Sequence, residues 1–512
     1  MDLVPRLRTT GQAFAVALIA VSLSVARAPA AQLPSGFTDQ LVANGLSQPT
    51  SFAFLPDGRV LVTEQTTGRI RLIVGGTTVS APVATVTSLT TGAERGLLSI
   101  AVDPGWPARP YVYVHHTQTG NVIRILRFTG TGDLSNASST NLTLGSAYTV
   151  LGNLQDNAFN HNGGTLRFGN DGMLYLSLGD DATGCPAQDS TQLLGCILRL
   201  DVSRLPAGSG GPPLRSLLEP GDNPFKSSPD SDAHLEWAYG LRNPFRFQID
   251  RGSNGLLVAD VGEGTWEELD LLHSGDNGGW PFYEGLGTLG WAGCNEPAGS
   301  GRYAQPIDAY DHSEGLVIIA AGVYRHAFHS PQWPAAWDGN AFYADFYQGF
   351  MRMLHLGPNG WERVSAPGQP DATHWATGLA QPVDFQWGPD GHLWWLSMSN
   401  GELRRIAAVS ATGVPPSAPT TFALSASPNP TSDALMLRYD LPHAGRVRLS
   451  IYDLSGRRVA DLIDASHPAG SDAVRWDGVR YDGRGLPPGV YLARLELDGT
   501  AVTRRVVLTK SR

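Results

Sequence analysis

Short runs that alternate apolar and polar residues recur along residues 37–406, usually in pairs joined by a polar turn. Three pairs are SFAFLPDGRVLVTE from Ser51, LRFGNDGMLYLSLGD from Leu166 and FQWGPDGHLWWLS from Phe385. Asp-Gly and Asn-Gly between alternating runs are strong signals of β-hairpins. About six such units at a loose spacing of roughly 45–80 residues predict an all-β, six-bladed β-propeller with long inserted loops. A solenoid fits less well because the spacing is irregular and the insertions are long.

The N-terminus has the order of segments found in an export signal. Arg6 and Arg8 precede an apolar run from Ala13 to Val25, and Ala28-Pro29-Ala30 follows. The run is too short to cross a bilayer and ends at small residues, so it predicts a secretory signal peptide. No later stretch is long or apolar enough for a membrane span. We therefore expect a secreted protein that reaches the cell surface or the medium via the periplasm.

A second module follows a change in composition near residue 409. Residues 409–421, VSATGVPPSAPTT, are rich in Pro, Ser, Thr and Ala, which is typical of a linker. Short alternating runs return after it and predict a small immunoglobulin-like β-sandwich. The predicted organisation is a signal peptide at 1–31, a propeller at 32–408, a linker at 409–421 and a sandwich at 422–512.

Composition narrows the possible functions. The 512 residues include 60 Gly and 36 Pro, and only 16% are charged, which indicates a turn-rich β protein. The net charge of −10 argues against nucleic-acid binding, which needs a basic face. In an oxidising compartment Cys185 and Cys196 are close enough in sequence to close a loop, which would leave Cys294 free. No C-x-x-C pair is present, so the sequence does not favour a zinc or redox cysteine site.

The stretch Asn160–Asp181, NHNGGTLRFGNDGMLYLSLGDD, carries the first chemical candidates. Asp171-Gly172 is the expected hairpin turn and lacks the spacing of a calcium-binding loop. Asp180 ends the same hairpin, so it is able to return alongside His161. A carboxylate there would orient the imidazole and stabilise its protonated form, as a general base requires. The alternative is that His161 is a structural residue at a strand entrance.

Two further segments add charged and polar groups. YGLRNPFRF, from Tyr239, places Arg242 beside Asn243 on a turn fixed by proline. ADVGEGTWEELDLL, from Ala259, is a glycine-rich acidic loop whose carbonyls and carboxylates, Glu267 among them, suit a hard cation such as calcium. A surface ion pair and a solvated loop are the plain alternatives. EGLGTLG, from Glu284, matches G-x-G-x-x-G but opens no helix, so we interpret it as a loop.

The order of these phrases resembles the soluble glucose/sorbosone dehydrogenases, six-bladed propellers that use pyrroloquinoline quinone (PQQ) and calcium. The resemblance is carried through nearly the whole propeller by GAERGLLSIAVDP, NHNGGTLRFGNDGMLYLSLGD, LLGCILRLD, WAYGLRNPFRF, DVGEGTWEELDLL, GDNGGWPFYEG and GVYRHAF. It implies oxidation of an aldose-type sugar, with an external electron acceptor.

The resemblance also implies a role for each matched residue. His161 would be the base and Asp180 its support, with Arg242 and Asn243 contacting cofactor and substrate. Gly262 and Glu263 would be calcium ligands. Glu94 and Asn160 would contact the substrate, and Arg325 and Gln381 would contact the cofactor. Arg325 stands where the glucose dehydrogenases use lysine. Gln381 and Val383 stand where they place two arginines, so two charge-assisted contacts to the cofactor's carboxylates are lost here.

The C-terminal module resembles the type IX secretion sorting domains, which share an immunoglobulin-like fold with flagellar hook-capping modules. The matching phrases are SPNPTSD from Ser427, IYDLSGRRV from Ile451, LPPGVYLARL from Leu486 and the final RRVVLTK. This resemblance implies delivery by a secretion machinery and no chemistry.

The sequence therefore predicts a secreted, calcium-dependent quinoprotein dehydrogenase that acts on a sugar. A non-catalytic propeller that binds glycan or protein at its mouth is the alternative. A calcium-dependent lactonase-type hydrolase is a third, weaker interpretation. It needs clustered side-chain ligands, and only Glu267 and Glu268 are close together in the sequence.

Overall fold

The computed structural model describes most of the chain outside its two ends and several short gaps. The described residues are 31–289, 293–296, 303–326, 333–409, 421–427, 429–431, 435–443, 445–467, 470–476, 478 and 485–509. The predicted signal peptide, apart from its last residue, and residues 410–420 of the predicted linker lie outside them. No helix in the described ranges is long and apolar enough to span a membrane.

Residues 37–408 form six antiparallel sheets, which we call blades 1 to 6 in chain order. Blade 1 consists, from the inner strand outward, of Pro49–Phe54, Val60–Glu64, Arg69–Val74 and Thr77–Thr78, with Ala84–Thr85 beside the third strand. Blade 2 consists of Leu97–Val102, Tyr111–Gln118, Val122–Gly132 and Leu142–Gln155. Blade 3 consists of Leu166–Phe168, Leu174–Leu178, Cys196–Leu200 and Glu236–Ala238. The predicted all-β, six-bladed propeller is confirmed for the described residues.

Blades 4 to 6 repeat this order. Their strands are Pro244–Ile249, Leu256–Asp260, Trp266–Leu272 and Asp308–Asp311; Ile318–Val323, Ala341–Asp345, Met351–Gly357 and Gly360–Arg363; and Pro382–Trp387, Leu393–Ser397, Glu402–Ala408 and Phe37–Ala43. The N-terminal strand is thus the outer strand of the last blade, with Phe37 opposite Ala408 and Ala43 opposite Leu403. This pairing of the two ends closes the ring.

The second strands of several blades are buried on both faces, because each blade packs between two others. All five residues of Val60–Glu64, Leu174–Leu178 and Leu393–Ser397 are buried. The hairpin turns follow the local sequence. In blade 3, for example, the N–H of Gly172 donates to the carbonyl of Gly169 at 3.0 Å, as the Asp-Gly signal predicts.

Arg246 closes the middle of the central channel. It is 1% exposed, and its guanidinium donates to carbonyls contributed by five of the six blades or the loops that enter them. The acceptors are Val383, Phe245, Gly164, Thr50 and Leu98, at 2.8–3.4 Å. The channel is therefore divided into a cavity at each end.

The C-terminal module is a two-sheet sandwich. One sheet contains Ala423–Ser427, Leu435–Leu441 and Gly470–Trp476, and the other contains Arg458–His467, Gly445–Tyr452, Gly489–Leu497 and Thr500–Leu508. Side chains from both sheets share one apolar core, among them Leu437, Leu449 and Leu495, all fully buried. The predicted small β-sandwich is confirmed.

Short elements are inserted between the propeller strands. They are the 3₁₀ helices Cys185–Gln188, Arg215–Leu217, Ala233–Leu235 and Ala335–Trp337, and a hairpin of Tyr283–Glu284 with Gly287–Thr288. The hairpin carries the first two glycines of the G-x-G-x-x-G match, Gly285 and Gly287, and no helix begins at residues 283–289. The third glycine, Gly290, lies outside the described residues.

The predicted cysteine pairing is wrong. The structure joins Cys185 to Cys294, whose Cα atoms lie 5.9 Å apart, and leaves Cys196 as a buried free thiol. Cys196 begins the third strand of blade 3 and packs in an apolar core with Leu198 and Leu200. Nearness in the sequence suggested a pairing that the strand direction prevents.

Candidate active site

A cavity of about 380 Å³ opens at the end of the channel where the inner strands begin. We call it the mouth cavity. All six blades or their entry loops contribute to it: its walls include Thr50, Glu94, Leu98, Phe159, Asn160, Asn243, Phe245, Val317, Phe346, Tyr347, Val383 and Met398. Glu94, Asn160 and Asn243, which the sequence marked as substrate or cofactor contacts, thus lie together on one cavity.

His161 and Asp180 meet beside this cavity. Nδ1 of His161 lies 2.7 Å from Oδ1 of Asp180, and both side chains are at least nine-tenths buried. Among the described residues, Nε2 of His161 has no hydrogen-bond partner. An imidazole held by a carboxylate at one nitrogen and free at the other is the arrangement of a general base.

The carboxylate of Asp180 is itself held by three donors. The backbone N–H groups of Ala182 and Gly184 and the indole Nε1–H of Trp280 donate to it, each at 2.8–2.9 Å. Hydrogen bonds to both oxygens fix the direction in which Asp180 presents its charge to the imidazole of His161. The pair is therefore positioned before any ligand arrives.

Asp181, the next residue, holds the loop that carries His161. Its carboxylate accepts the backbone N–H groups of Asn157 and Ala158 at 3.0 and 2.6 Å and the amide of Gln155 at 2.8 Å. Asp180 thus holds the imidazole of His161, and Asp181 holds the loop that carries it.

The loop itself is tightly bent. His161 has a φ of 59°, which costs a residue with a side chain on the order of 1–3 kcal/mol. Gly179 permits this path, because a Cβ there would lie 2.0 Å from the carbonyl oxygen of His161. Such backbone strain is common where a side chain is held for function.

Arg242 and Asn243 are placed by a buried carboxylate, Asp260. Their backbone N–H groups donate to its two oxygens at 2.8 and 2.6 Å. Burial raises the pKa of Asp260 to about 7, although these two hydrogen bonds oppose the shift. The backbone carbonyl of Arg242 accepts the N–H of Asp180 at 2.8 Å, which couples this turn to the His161 pair.

The side chain of Arg242 is engaged within its own chain. Its guanidinium pairs with Glu263, donates to the carbonyl of Val261 at 3.0 Å and lies 5.5 Å above the ring of Trp280. Glu263 is about half exposed, so a ligand anion is able to replace it.

Asn243 and Glu94 form a polar wall of the mouth cavity. The Asn243 amide donates to Glu94 Oε2 at 3.1 Å, and its oxygen accepts the N–H of Gly163 at 3.0 Å. Glu94 Oε2 also accepts the N–H of Asn162 at 3.2 Å. Glu94 therefore presents a carboxylate that is fixed next to the loop of His161.

The glycine-rich acidic loop is organised by Glu284. One oxygen of this buried carboxylate accepts the backbone N–H groups of residues 263–266 at 2.6–3.4 Å. Gly262 is required, since a Cβ would lie 1.6 Å from the carbonyl oxygen of Trp266. With the amides directed at Glu284, the carbonyl oxygens of Gly262 and Glu263 accept no hydrogen bond from the described residues. Free carbonyl oxygens are ligands that calcium uses.

Three predicted residues do not come to this site. Arg325 lies at the opposite end of the channel, where it makes a two-pronged ion pair with Asp250 at 2.6–2.7 Å and lines a separate cavity. Glu267 accepts His312 and the N–H of Ile318, both at 3.0 Å. Both its oxygens are thereby used in joining blades 4 and 5.

Gln381 is the third of these residues. Its carbonyl accepts the N–H of Met398 at 3.0 Å, and Val383, two residues further on, reaches the cavity wall in its place. Among the described residues no group of three or more His, Cys, Asp or Glu side chains could hold a metal ion. The clustered ligands that the lactonase interpretation needs are thus not found in the described part of the chain.

Sequence reasoning missed four residues of this site: Trp280, Asp260, Asp181 and Glu284. Each contacts a predicted residue, or the loop that carries it, from another part of the sequence. Trp280 and Asp180, for example, are one hundred residues apart. The paired aspartates at 180–181 and the acidic ADVGEG segment were available signals for Asp181 and Asp260.

The comparisons with known proteins divide the chain at the same place as the fold. Residues 46–405 match the family model for glucose/sorbosone dehydrogenase, and residues 425–509 match the one for a secretion system C-terminal sorting domain. The chain is 26% identical to the aldose sugar dehydrogenase YliI of Escherichia coli over 411 residues, which cover 77% of this chain and 98% of that protein.

Two further proteins are similar to parts of this chain. The structure of the PQQ-bound aldose sugar dehydrogenase of Streptomyces coelicolor has a TM-score of 0.53 at 24% identity and covers 73% of this chain and 99% of that one. The hedgehog-interacting protein of Homo sapiens is 27% identical over 263 residues, or 47% of this chain and 34% of that protein.

Proposed function

Because residues 46–405 place the chain in the glucose/sorbosone dehydrogenase family, we propose that it oxidises an aldose-type sugar in the mouth cavity. The observation that carries the proposal is the His161–Asp180 pair, with one imidazole nitrogen on the carboxylate at 2.7 Å and the other free. Oxidation of a sugar hydroxyl removes a proton from oxygen and a hydride from carbon. A positioned base is therefore the group that the chain itself has to supply.

In this proposal Nε2 of His161 takes the hydroxyl proton, and Asp180 stabilises the imidazolium that results. The three donors on its oxygens keep the carboxylate of Asp180 in this orientation. Arg242 stabilises the negative charge that develops on the oxygen during proton transfer. Glu94 and Asn160, on the cavity wall, accept and donate hydrogen bonds to the other hydroxyls of the sugar.

PQQ and calcium are the proposed cofactors. The free carbonyl oxygens of Gly262 and Glu263 fit calcium, and Arg242 and Asn243 fit the quinone oxygens, once Glu263 has left the guanidinium. When bound, PQQ would accept the hydride that leaves the sugar carbon.

The cavity wall offers fewer groups that would bind the carboxylates of PQQ. The cavity wall contains no Lys or Arg among the described residues that line it, and Val383 occupies part of that wall. Two lost charge-assisted contacts, at about 1.5–3 kcal/mol each, would weaken binding by roughly 10²–10⁴-fold. We therefore expect this chain to need more PQQ for saturation than a relative that has the two arginines.

The proposal also includes export of the protein from the cell. The sorting domain at residues 425–509 suggests delivery by a secretion system, and the predicted signal peptide would supply the first step through the periplasm. The oxidation would then take place at the cell surface or in the medium, with an external electron acceptor.

The test is to add PQQ and calcium to the purified mature chain and to assay a panel of aldoses with an artificial electron acceptor. We expect a spectral shift on PQQ binding and turnover with at least one sugar. His161→Ala should lose turnover by about 10²–10⁴-fold while the shift remains. His273→Ala, an exposed histidine of the same domain, is the matched control. Neither a shift nor turnover at saturating PQQ would refute the proposal.

A non-catalytic propeller that binds glycan is the second candidate. The specific observation in its favour is the largely apolar, partly aromatic wall of the mouth cavity, where Phe159, Phe346 and Tyr347 lie. Glycan-array binding that persists without PQQ, in a chain that shows no turnover with it, would favour this candidate over the enzyme.

A further inference from the structure

Two exposed aromatic rings stand at the rim of the mouth cavity. Phe159 is 64% exposed and Tyr347 is 59% exposed, and both line that cavity. No other phenylalanine, tyrosine or tryptophan among the described residues is exposed. Two such rings on one cavity are unexpected for a surface that serves no ligand, since exposed apolar groups are otherwise scattered singly.

Both rings are held on fixed backbone. Phe159 lies on the loop that Asp181 fastens, directly before Asn160 and His161, and its carbonyl accepts the N–H of Glu94 at 3.4 Å. This ring therefore has a constant position relative to the proposed base, because only Asn160 separates Phe159 from His161 in one held loop.

Tyr347 lies on a turn in blade 5. The carboxylate of Asp345, which is fully buried, accepts the N–H groups of Tyr347 and Gln348 at 2.9 and 2.6 Å. The ring of Phe346 packs against Tyr347 edge-on, with centroids 5.0 Å apart. The Tyr347 hydroxyl makes no hydrogen bond to the described residues. The ring thus offers an apolar face together with a free polar tip.

We infer that Phe159 and Tyr347 form a second sugar-binding subsite, so that the preferred substrate is an oligosaccharide whose terminal ring reacts at His161. The apolar face of a pyranose ring stacks on an aromatic face, while its hydroxyls need polar partners at the edge. Phe159 gives a face without a polar group, and Tyr347 gives a face with a hydroxyl. Asn160 and Glu94 line the same cavity and would take hydroxyls of the ring inside.

This inference rests on the proposed function only in its use of His161 as the reacting end. A protein partner would also cover exposed aromatic rings. The rings here border a cavity of about 380 Å³, the size of a small-molecule site, whose mostly apolar wall carries a few polar groups, among them Glu94, Asn160 and Asn243. A sugar ring therefore fits better than a flat protein surface.

The experiment compares binding of glucose with that of maltose, cellobiose and lactose by calorimetry, without PQQ, and then compares KM and kcat with it. We expect at least one disaccharide to bind about two- to tenfold more tightly per added aromatic contact than glucose. Phe159→Ser and Tyr347→Ser should each remove about that factor for the disaccharide and raise its KM more than they lower its kcat. Phe159→Trp, with a larger ring, should tighten disaccharide binding.

Leu356→Ser is the matched control, because Leu356 is 57% exposed on an outer strand of blade 5 and does not line the mouth cavity. It should leave every sugar affinity unchanged. The inference is overturned when no disaccharide binds more tightly than glucose, or when the serine variants keep the wild-type preference. Turnover of glucose without a disaccharide preference refutes the subsite alone. A disaccharide preference without any turnover refutes the oxidation and leaves the subsite standing.

Discussion

Trp280 joins two parts of the site that the sequence presents as unrelated. Its indole N–H donates to Asp180 at 2.8 Å, and the guanidinium of Arg242 lies 5.5 Å from its ring centroid. It touches both the carboxylate that orients the base and the cation that would meet developing negative charge. We interpret it as a positioning residue.

Trp280→Phe keeps an aromatic ring and removes the indole N–H. A hydrogen bond to a charged group contributes about 1.5–3 kcal/mol, so we expect kcat to fall by roughly tenfold or more with little change in KM. Steady-state kinetics with the best sugar measure this. Trp237→Phe, on the outer strand of blade 3, should leave kcat unchanged. A fall in thermal stability equal for both variants, without the difference in kcat, would contradict the assigned role.

The three cysteines give a prediction that needs no substrate. Cys185 and Cys294 close a loop with a sequence separation of 109, and Cys196 is buried, with a pKa raised by that burial. We expect a thiol reagent to find no fast-reacting thiol in the native, oxidised chain and one after unfolding. Two rapidly reacting thiols in the native chain would contradict the observed pairing.

Reduction of the same disulfide should lower stability. A cross-link over a long loop contributes on the order of 2–5 kcal/mol, largely by restricting the unfolded chain. The double variant Cys185→Ser/Cys294→Ser should therefore unfold at a lower temperature than the oxidised wild type. Cys196→Ala tests the other thiol, and it should respond to reducing agent as the wild type does.

At the scale of one element, blade 4 buries several carboxylates on its two middle strands. Asp260 and Glu268 face each other in the register of these strands, and Asp270 lies opposite Val258. Burial is the main cause that raises the pKa of Glu268 and of Asp270 well above the ordinary values. One oxygen of Asp270 has no hydrogen-bond partner among the described residues. Blade 4 is therefore sensitive to pH.

The direction of this dependence follows from the raised pKa values. A carboxyl whose pKa is higher in the folded than in the unfolded chain favours folding most below its ordinary pKa. It loses that contribution as the pH rises through the folded-state pKa, which for Asp260 is about 7. We therefore expect thermal stability to decrease between about pH 5 and pH 8.

Asp270→Asn tests whether this blade is responsible. Because the amide carries no charge, the variant should gain about 1–3 kcal/mol relative to wild type at pH 8 and little at pH 5. Unfolding by denaturant at both pH values gives the comparison. The exposed Glu362→Gln on blade 5 should behave as the wild type. A variant whose stability falls with pH as steeply as that of the wild type would refute the assignment.

At the scale of the whole propeller, Arg246 holds the ring together from its axis. It donates to carbonyls from five blades or their entry loops, and burial lowers its pKa to about 10. Because its hydrogen bonds reach five blades and not one pair of blades, its loss affects the whole ring. Four of the residues whose carbonyls it binds, Thr50, Leu98, Phe245 and Val383, line the mouth cavity.

Arg246→Met should lower the free energy of unfolding by at least about 3 kcal/mol, since several buried carbonyls lose their donor. Arg246→Lys should recover only part, because an ammonium cannot reach five carbonyls as the planar guanidinium does. Equilibrium unfolding measures both. Arg69→Met, at an exposed arginine on blade 1, should stay within about 0.5 kcal/mol of wild type. An Arg246→Met variant as stable as that control would contradict this role.

Much of this architecture follows from local pattern. Alternation in runs such as LRFGNDGMLYLSLGD, with Asp171-Gly172 between two strands, states where a hairpin lies whatever surrounds it. The same hairpin brings its two ends together, so the meeting of His161 and Asp180 was accessible from the sequence. The linker composition likewise separates the propeller from the sandwich before any coordinate is known.

Contacts between distant segments were decided by the tertiary structure alone. Arg325 follows a phrase typical of the family, yet the direction of its strand carries it to Asp250 at the far end of the channel. Cys185 bonds to Cys294 because the fold places them together, while the nearer Cys196 points into a core. The sequence by itself determined the blades, the sandwich and the His161–Asp180 pair, because these depend on neighbours along the chain. Closure of the ring determined the supports of Trp280, Asp260 and Arg246 and the aromatic rim, because each joins segments that approach one another only after all six blades have packed.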